Sequence, residues 1–320
     1  LGTHESHRGF EDGAGKKTGK DLSKIIVPPV FPDNELVRSD IADYLVEVEH
    51  FDSMVERSLA ILEKRGLLDN TMVVVTSDHG MPFPRAKASL YDLGSRVPLA
   101  VRWPAGIEGA GRVVDSFVNL SDFAPTFLEA SGLSAPSMMS ARGMLDVFAN
   151  NESKKRDAAF IAMERHDGCR EGGKGYPCRA VRTNDYMYIY NFEPTRWPSG
   201  SPDASVCARA IPFGEIDDSP TKTFMMENRN THGVAGLAEL SFGMRPAEEL
   251  YDLKKDPHQM KNLAGSTKYQ SIQKRLHGLL FSRLAQTKDP RVVGGKVDWD
   301  YYPYYGRIST EGWTVDKKPE

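Results

Sequence analysis

The sequence predicts an α/β fold, in which a sheet flanked by helices is followed by a smaller unit built on an antiparallel sheet. A run of β-branched residues at 71–76 predicts a buried parallel strand. Apolar residues spaced three and four apart over 41–66 predict a long amphipathic helix that ends at a glycine. From residue 158, short alternating segments predict antiparallel strands. We therefore divide the chain into domains at 1–155 and 156–320.

The other elements follow from local patterns. Residues 13–24 are basic and contain glycine, which predicts a loop, and the prolines of 27–32 predict extended chain with Asp33 as the following helix cap. The remaining predicted elements are, in chain order, strands at 97–103 and 112–119, a helix capped by Ser121 that begins at Asp122 and ends at Gly132, strands at 159–163, 179–183 and 186–190, a strand near 249–253 and a helix near 268–286.

Composition excludes some classes of function. The chain has 320 residues, of which 40% are hydrophobic, and a net charge of −3, which argues against a nucleic-acid-binding or polybasic membrane surface. No apolar run approaches the roughly 18 residues of a membrane span. The opening residues lack the charge and apolar core of a signal peptide.

The cysteine count is low and odd. Three cysteines do not make a disulfide framework. Cys169 and Cys178 flank a glycine-rich loop and could pair in an oxidising compartment, and free thiols are the alternative.

The predicted strand at 71–76 ends in a possible metal site. Asp78 and His79 follow it, and ligands in open α/β sheets bind at the carboxyl ends of strands. Gly80 allows the backbone to turn, so that the carboxylate and the imidazole can converge on one metal ion. The alternative is an ordinary turn in which Asp78 is a cap beside a surface histidine.

The continuation of this segment resembles the sulfatase family of the alkaline-phosphatase-like superfamily. Asp-His-Gly is followed by Lys87 and by Y-D-L-G-S-R-V-P-L at 91–99. In that family the Asp, with an Asn or His beside it, binds a divalent metal, and a downstream Lys binds the substrate's sulfate. The resemblance thus implies Asp78 and His79 as metal ligands, Lys87 as a catalytic sulfate contact and Arg85 as a second anion contact. It also implies an alkaline-phosphatase-like mixed sheet flanked by helices.

The segment T-H-E-S-H-R-G-F at 3–10 resembles the family pattern S-H-x-P-H-R. There the second histidine contacts the sulfate and the leaving-group oxygen. The resemblance implies a catalytic role for His7, since imidazole can donate a proton near pH 7, and a substrate contact for His4. Ser6 stands where the family often has proline. The residues alone indicate only a polar loop.

A third block resembles sulfatases related to heparan N-sulfatase. It comprises E-R-H-D-G-C-R at 164–170 and G-Y-P at 175–177, and E-L-Y-D-L-K-K-D-P at 249–257 matches the family's C-terminal pattern. In that family, a His and an Arg at the positions of the segment 164–170 reach toward the sugar. The resemblance implies His166 and Arg170 as substrate-binding residues, whereas composition alone indicates a polar surface loop.

The motifs quoted belong to the later part of the family pattern. The nucleophile motif C/S-x-P-x-R, whose Cys or Ser becomes formylglycine, does not occur, and its imitation at 134–138 lacks the arginine. We therefore expect a fragment without the N-terminal part of the fold, with no nucleophile and no activity by itself.

The resemblance implies hydrolysis of sulfate esters or sulfamates. The expected substrates are a sulfated carbohydrate, such as heparan-type N-sulfoglucosamine or an O-sulfated sugar, or an aryl sulfate. The expected cofactor is one divalent metal, first Ca²⁺, with Zn²⁺ or Mn²⁺ as alternatives because His79 is a softer donor than Asn. The implied location is periplasmic, extracellular or lysosome-like. A metal-dependent phosphodiesterase or phosphonate hydrolase and a non-catalytic glycan-binding homologue remain as alternatives.

Overall fold

The computed structural model describes residues 2–4, 6–150 and 156–318. Most of the predicted helices and strands are present, and they occur in the predicted order. The helices are α1 Ala14–Lys17, α2 Glu35–Lys64, α3 Asp92–Ser95, α4 Phe123–Ala130, α5 Leu145–Phe148, α6 Pro220–Glu227, α7 Ala235–Phe242, α8 Gln270–Gln286 and α9 Pro290–Val293. The strands are β1 Val73–Thr76, β2 Leu99–Arg102, β3 Ala158–Met163, β4 Cys178–Thr183, β5 Tyr186–Asn191 and β6 Glu248–Asp252.

The long amphipathic helix is confirmed as α2, which has 30 residues. It begins earlier than predicted because its cap is Asn34, whose side chain accepts the N–H of Val37 at 3.0 Å. Asp33 is therefore not the cap, and instead its carboxylate pairs with Arg38. The helix ends just before Gly66, whose φ of 64° suits a residue without a Cβ.

Strand β1 is confirmed, but its predicted parallel pairing is wrong. Among the described residues its strand partner is β2, which runs antiparallel with Val73 opposite Arg102 and Thr76 opposite Leu99. Its residues are half-buried rather than buried. β-Branched composition indicates a strand but does not fix the direction of the neighbour, which depends on contacts distant in the sequence.

Two predicted irregular or extended segments differ from the structure. The glycine-containing segment near residue 14 includes α1, because the carboxylate of Asp43 accepts the N–H groups of Gly13 and Gly15 at 3.0 and 2.8 Å. Residues 112–119 form no strand, and the N–H of Phe117 bonds instead to the carbonyl of Arg156 at 2.9 Å. An apolar segment forms a strand only where a neighbouring strand offers hydrogen-bond partners to its backbone, and here the backbone finds partners elsewhere.

The predicted helix at residue 122 is present as α4, preceded by a 3₁₀ turn at Leu120–Asp122. Asn119 and Asp122 form a reciprocal capping box at the start of this 3₁₀ turn, and α4 itself has no side-chain cap, so the predicted cap at Ser121 is wrong. Gly132 follows its end with a φ of 75°, as predicted.

The predicted antiparallel sheet is confirmed as β3-β4-β5-β6. One face packs on α8, where Tyr188 and Leu250 meet Leu276 and Leu280 in a buried cluster. The predicted final strand and helix are β6 and α8. Alternation at period two therefore gave the right strands, since successive side chains point to opposite faces.

A separate core joins sequence-distant segments. Val37 of α2 and Phe83 pack with Ile216, Met225 and Phe242. This core includes residues from both sides of the predicted boundary after residue 155, which itself falls at residues outside the described part of the chain. The two-domain division stays a prediction, and the described residues have the expected α/β class.

Of the two alternatives for Cys169 and Cys178, the structure has the free thiols. All three cysteines are buried and unbridged, and Cys178 lies in β4 within the core of the sheet. The sulfur of Cys169 lies 3.0 Å from the sulfur of Cys207 instead.

Among the described helices, none is both long and apolar enough to cross a bilayer.

Candidate functional site

Asp78 and His79 converge just beyond the end of β1. The Nδ1–H of His79 donates to the carbonyl of Gly80 at 2.8 Å, so Nε2 keeps its lone pair. This Nε2 lies 3.6 Å from Oδ2 of Asp78, whose side chain is 85% exposed. A Cβ at Gly80 would lie 1.7 Å from the carbonyl oxygen of Leu93, so close packing requires glycine there.

The carboxylate and the imidazole can share one divalent ion. Metal–ligand distances near 2 Å allow a nitrogen and an oxygen 3.6 Å apart to bind the same metal. Among the described residues no group of three His, Cys, Asp or Glu side chains is placed to hold a metal. Asp78 and His79 therefore fit part of a coordination sphere, to which other donors must be added.

Lys87 and His7 lie side by side although 80 residues separate them. The ammonium of Lys87 is 3.4 Å from Nε2 of His7, whose Nδ1 lies 2.6 Å from the carbonyl of Arg8. A proton on Nδ1 thus bonds to the main chain and leaves Nε2 facing Lys87. The lysine side chain is 7% exposed and donates to Oδ2 of Asp217 at 2.8 Å.

Arg8 fixes the segment that carries His7. Its guanidinium makes a two-pronged contact with the buried carboxylate of Asp40 in α2 and donates to the carbonyl of Pro82 at 3.1 Å. The rings of Phe10 and Phe83 lie 4.4 and 4.3 Å from it on either side. The sequence analysis did not single out Arg8 or Asp40, although arginine is part of the quoted motif.

His166 is held by a buried carboxylate that the sequence analysis did not identify. Its Nδ1–H donates to Oε2 of Glu215 at 2.7 Å, and the same carboxylate accepts from Arg170 at 2.6 Å. The hydrogen bond to Glu215 raises the pKa of His166. Burial alone would raise the pKa of Glu215, but Arg170 and His166 together hold it below its ordinary value.

Asp217, two residues further, belongs to a second charged network. It accepts from Lys87, and the guanidinium of Arg209 lies 3.4 Å from it and 2.5 Å from Asp167. Burial opposes ionisation of Asp217, yet the contact with Lys87 lowers its pKa overall. The run G-E-I-D-D at 214–218 is a signal that could have indicated these carboxylates, because charged residues seldom occur so close together in a buried loop.

Four predicted site residues line a single open cleft of about 1640 Å³, namely Asp78, His79, Lys87 and His166. His7 borders it through its contact with Lys87. A carboxylate–imidazole pair, an ammonium and a polarised imidazole therefore face one space. That arrangement can bind a metal, neutralise an anionic group and transfer a proton.

Two family models match the chain, "Sulfatase" over residues 1–133 and "N-sulphoglucosamine sulphohydrolase, C-terminal" over residues 82–198. Together the two models match residues 1–198 and place that part of the chain in the sulfatase family. It is 29% identical over 271 residues to an ulvan-active sulfatase of Formosa agariphila, covering 84% of this chain and 42% of the relative. It is 28% identical over 287 residues to the N-sulphoglucosamine sulphohydrolase of Homo sapiens, covering 85% and 53%.

A solved structure in complex with its substrate D-glucosamine-2-N,6-O-disulfate is also similar to this sulfatase chain. The TM-score is 0.57 at 25% identity, over 83% of this chain and 45% of the solved one. The likeness supports the alkaline-phosphatase-like fold. The sulfatase chain spans about half the length of the curated relatives it matches. Sulfatases generally use a metal ion and a formylglycine.

Arg85 and Arg170, which were predicted to contact the substrate, do not line this cleft. The guanidinium of Arg85 donates to the carbonyls of Leu240 and Gln259 and stacks 3.7 Å from the ring of Tyr91. Arg170 is buried and donates to Glu215 and to main-chain carbonyls, including that of Trp197 at 2.6 Å. Both side chains are occupied by protein groups, and their predicted contacts with substrate stay predictions.

His4 is exposed, and its carbonyl accepts the N–H of His7 at 2.9 Å. This bond closes the turn that presents His7. A contact of the His4 ring with substrate remains a prediction.

Proposed function

We propose that the chain provides the metal-binding, sulfate-binding and leaving-group side of a sulfatase active site. The observation that carries the proposal is the contact of His7 with Lys87 beside the cleft that Asp78, His79 and His166 also line. The reaction is hydrolysis of a sulfate ester or sulfamate.

Lys87 supports this role by its charge and its fixed position. A compact ammonium suits a cluster of sulfate oxygens, and the partner Asp217 restrains the side chain before substrate binds. The ammonium of Lys87 is already paired with Asp217 in the absence of substrate. A bound sulfate would therefore share the N–H donors of this ammonium with Asp217, and no unpaired charge has to be buried before the substrate arrives. Preorganised charge of this kind stabilises the charge that develops on the sulfate oxygens.

His7 is assigned to the leaving group. Its Nδ1 faces a main-chain carbonyl, which leaves Nε2 as the nitrogen directed to the sulfate-binding lysine. When the ring is doubly protonated, its Nε2–H could donate to the oxygen or nitrogen that leaves a sulfur held by Lys87. Donation of that proton completes cleavage of the S–O or S–N bond.

Asp78 and His79 are assigned to the metal, for which we propose Ca²⁺. A bound divalent ion would supply positive charge to the sulfate oxygens. The one imidazole donor keeps Zn²⁺ and Mn²⁺ as alternatives, since Ca²⁺ prefers oxygen ligands. We assign the formylglycine to the part of the relatives' length that this chain does not match.

The proposed substrate is a sulfated sugar, with N-sulfoglucosamine first and O-sulfated sugars and aryl sulfates as further candidates. The human relative named for N-sulphoglucosamine and the solved complex with a glucosamine disulfate support this class. His166, whose pKa is raised by Glu215, would present positive charge to an anionic sugar in the cleft. An exported compartment, periplasmic, extracellular or lysosome-like, goes with such substrates.

Hydrolysis assays on the full-length protein test this function. N-sulfoglucosamine, a 6-O-sulfated glucosamine and an aryl sulfate would be compared with the phosphate ester of the same aryl alcohol, with metal content measured on each preparation. We expect sulfate or sulfamate release with kcat/KM at least tenfold above phosphate release. Faster phosphate release would favour the phosphodiesterase alternative, and glycan binding without turnover would favour a binding module.

A further inference from the structure

Cys169 and Cys207 form a buried sulfur pair beside the candidate site. Their positions are 38 residues apart in the chain, and neither residue exposes measurable surface. The sulfur–sulfur distance is 3.0 Å, so the two side chains point at each other. Two thiols at this distance need little movement to become bonded.

Backbone hydrogen bonds hold the segments that carry the two cysteines in place. The N–H of Ala208 donates to the carbonyl of Gly168 at 2.7 Å, and the N–H of Ser201 donates to the carbonyl of Cys169 at 2.7 Å. A Cβ at Gly214 would lie 2.4 Å from the sulfur of Cys169 and 2.5 Å from that of Cys207. Gly214 therefore packs so closely on the sulfur pair that any side chain there would clash with both sulfur atoms.

We propose that Cys169 and Cys207 become a disulfide when the protein meets a disulfide oxidant, and that Cys178 remains a thiol. Before the pair is buried, as the chain folds or opens locally, Cys207 as thiolate attacks a sulfur of the oxidant and releases one oxidant thiol. Cys169 then attacks the mixed disulfide at Cys207 and releases the second. The two cysteines lose two protons and two electrons, and the oxidant, a small-molecule or protein disulfide, is reduced to two thiols.

The electrostatics around the sulfurs agree with this order of attack. The hydrogen bond from Cys169 lowers the pKa of Cys207 to about 6, and the same contact raises the pKa of Cys169. A thiol with a pKa near 6 is largely thiolate at neutral pH, and thiolates are the attacking species. Cys178 differs, because burial raises its pKa and the one cysteine–cysteine contact among the described residues joins Cys169 to Cys207.

The cross-link would join two irregular segments that position the cleft. Cys169 follows Asp167 and precedes Arg170, the partner of Glu215. Cys207 precedes Arg209, whose guanidinium contacts both Asp167 and Asp217. A covalent bond here restrains the partners of His166 and Lys87, which lie in segments with little regular secondary structure to restrain them.

Thiol counting tests the proposal, because trypsin places each cysteine on its own peptide, residues 166–170, 175–179 and 197–209. The full-length protein would be equilibrated with a glutathione disulfide buffer, denatured without reductant, alkylated with iodoacetamide and digested. Of these three peptides we expect only 175–179 to be alkylated, and a linked species joining 166–170 to 197–209 to be about 2 Da lighter than the sum of the two thiol peptides. Reductant should yield three alkylated peptides.

Variants separate the assigned pair from the other pairings. Cys178→Ser should keep the linked species and lose all alkylation, whereas Cys169→Ser and Cys207→Ser should each leave two reactive thiols. Reductant should lower the Tm of the wild type and of Cys178→Ser, but not that of the double variant C169S/C207S. Alkylation of all three cysteines of the oxidised wild type, or a linkage to Cys178, would overturn the proposal. The wild-type digest decides even if a serine variant fails to fold.

Discussion

Nδ1 of His166 lies 2.7 Å from Oε2 of Glu215, a carboxylate whose side chain is only 1% exposed. The other oxygen of Glu215 lies 2.6 Å from Arg170. One buried negative charge thus serves two cations, of which only His166 also reaches the cleft. Removal of the carboxylate should therefore affect both protonation in the site and the stability of the fold.

Glu215→Gln should lower the pKa of His166 and destabilise the protein, because Arg170 would remain buried without its partner. Breaking a buried ion pair from one side costs about 3–5 kcal/mol of unfolding free energy. NMR titration of the His166 ring and urea unfolding measure the two effects. Glu193→Gln is the control, since Glu193 is 38% exposed and should change stability by less than about 0.5 kcal/mol. An unshifted His166 pKa would remove Glu215 as its partner.

The raised pKa of His166 makes part of the stability dependent on pH. The stabilisation by charged His166 is fully present below the ordinary histidine pKa of about 6.5 and is lost as pH rises through the higher folded value. The Tm of the wild type should therefore exceed that of His166→Asn most near pH 6, and the difference should shrink toward pH 9. His232→Asn, at an exposed position, should show no such trend. A difference that grows with pH would contradict the charged state of His166.

Lys87→Ala should impair the chemical step in the full-length enzyme. Loss of a preorganised charge contact costs about 2–4 kcal/mol of transition-state stabilisation, which is roughly a 30- to 1000-fold loss in kcat. Steady-state kinetics on the preferred sulfated substrate measure it. Lys254→Ala is the matched control, since that lysine is exposed, pairs with Asp185 and does not line the cleft. Equal kcat/KM for wild type and Lys87→Ala would exclude Lys87 from the site.

Asp40→Asn should destabilise the segment that carries His7. The buried carboxylate of Asp40 receives Arg8 and the hydroxyl and N–H of Thr221, so the change leaves a buried guanidinium without its counter-charge. We expect a loss of about 3–5 kcal/mol in unfolding free energy, measured by urea denaturation. Asp33→Asn breaks the exposed pair with Arg38 and should cost about 0–1 kcal/mol. Equal losses in the two variants would contradict the assigned anchor.

His79→Ala should weaken divalent-metal binding by the full-length protein by about tenfold or more, since even second-shell changes cost 10- to 100-fold. Calorimetric titration of the metal-free protein with Ca²⁺, Mn²⁺ and Zn²⁺ would give the affinities directly. His232→Ala, at an exposed position, should leave them unchanged. Asp78→Asn should weaken binding in parallel. Unaltered affinity in both variants would remove these residues from the metal site.

Local patterns in the sequence predicted the secondary structure well where contacts are local. Helix α2 and the strands of the β3–β6 sheet follow from periods of 3.6 and 2. The direction of β1 did not follow, because it depends on a strand more than twenty residues away. The charged partners of the site are more distant still, with Glu215 and Asp217 45 and 130 positions from Arg170 and Lys87.

The site residues were predicted unequally for a chemical reason. Asp78, His79, His7 and Lys87 follow from resemblance to short motifs, and the structure places them together. Arg85 and Arg170 belong to the same kinds of motif but bind protein carbonyls and a carboxylate. A guanidinium suits an internal carboxylate as well as an external sulfate, so its residue type alone does not tell whether the anion is part of the protein.

The two-residue spacing of Glu215 and Asp217 has an evolutionary consequence. Ile216 separates the two acids, and each acid serves a different basic partner, His166 or Lys87. A deletion or insertion of one residue between them would therefore move one acid away from its basic partner. Selection that keeps both partners in place would hold the spacing of the two acids constant while other parts of the loop change.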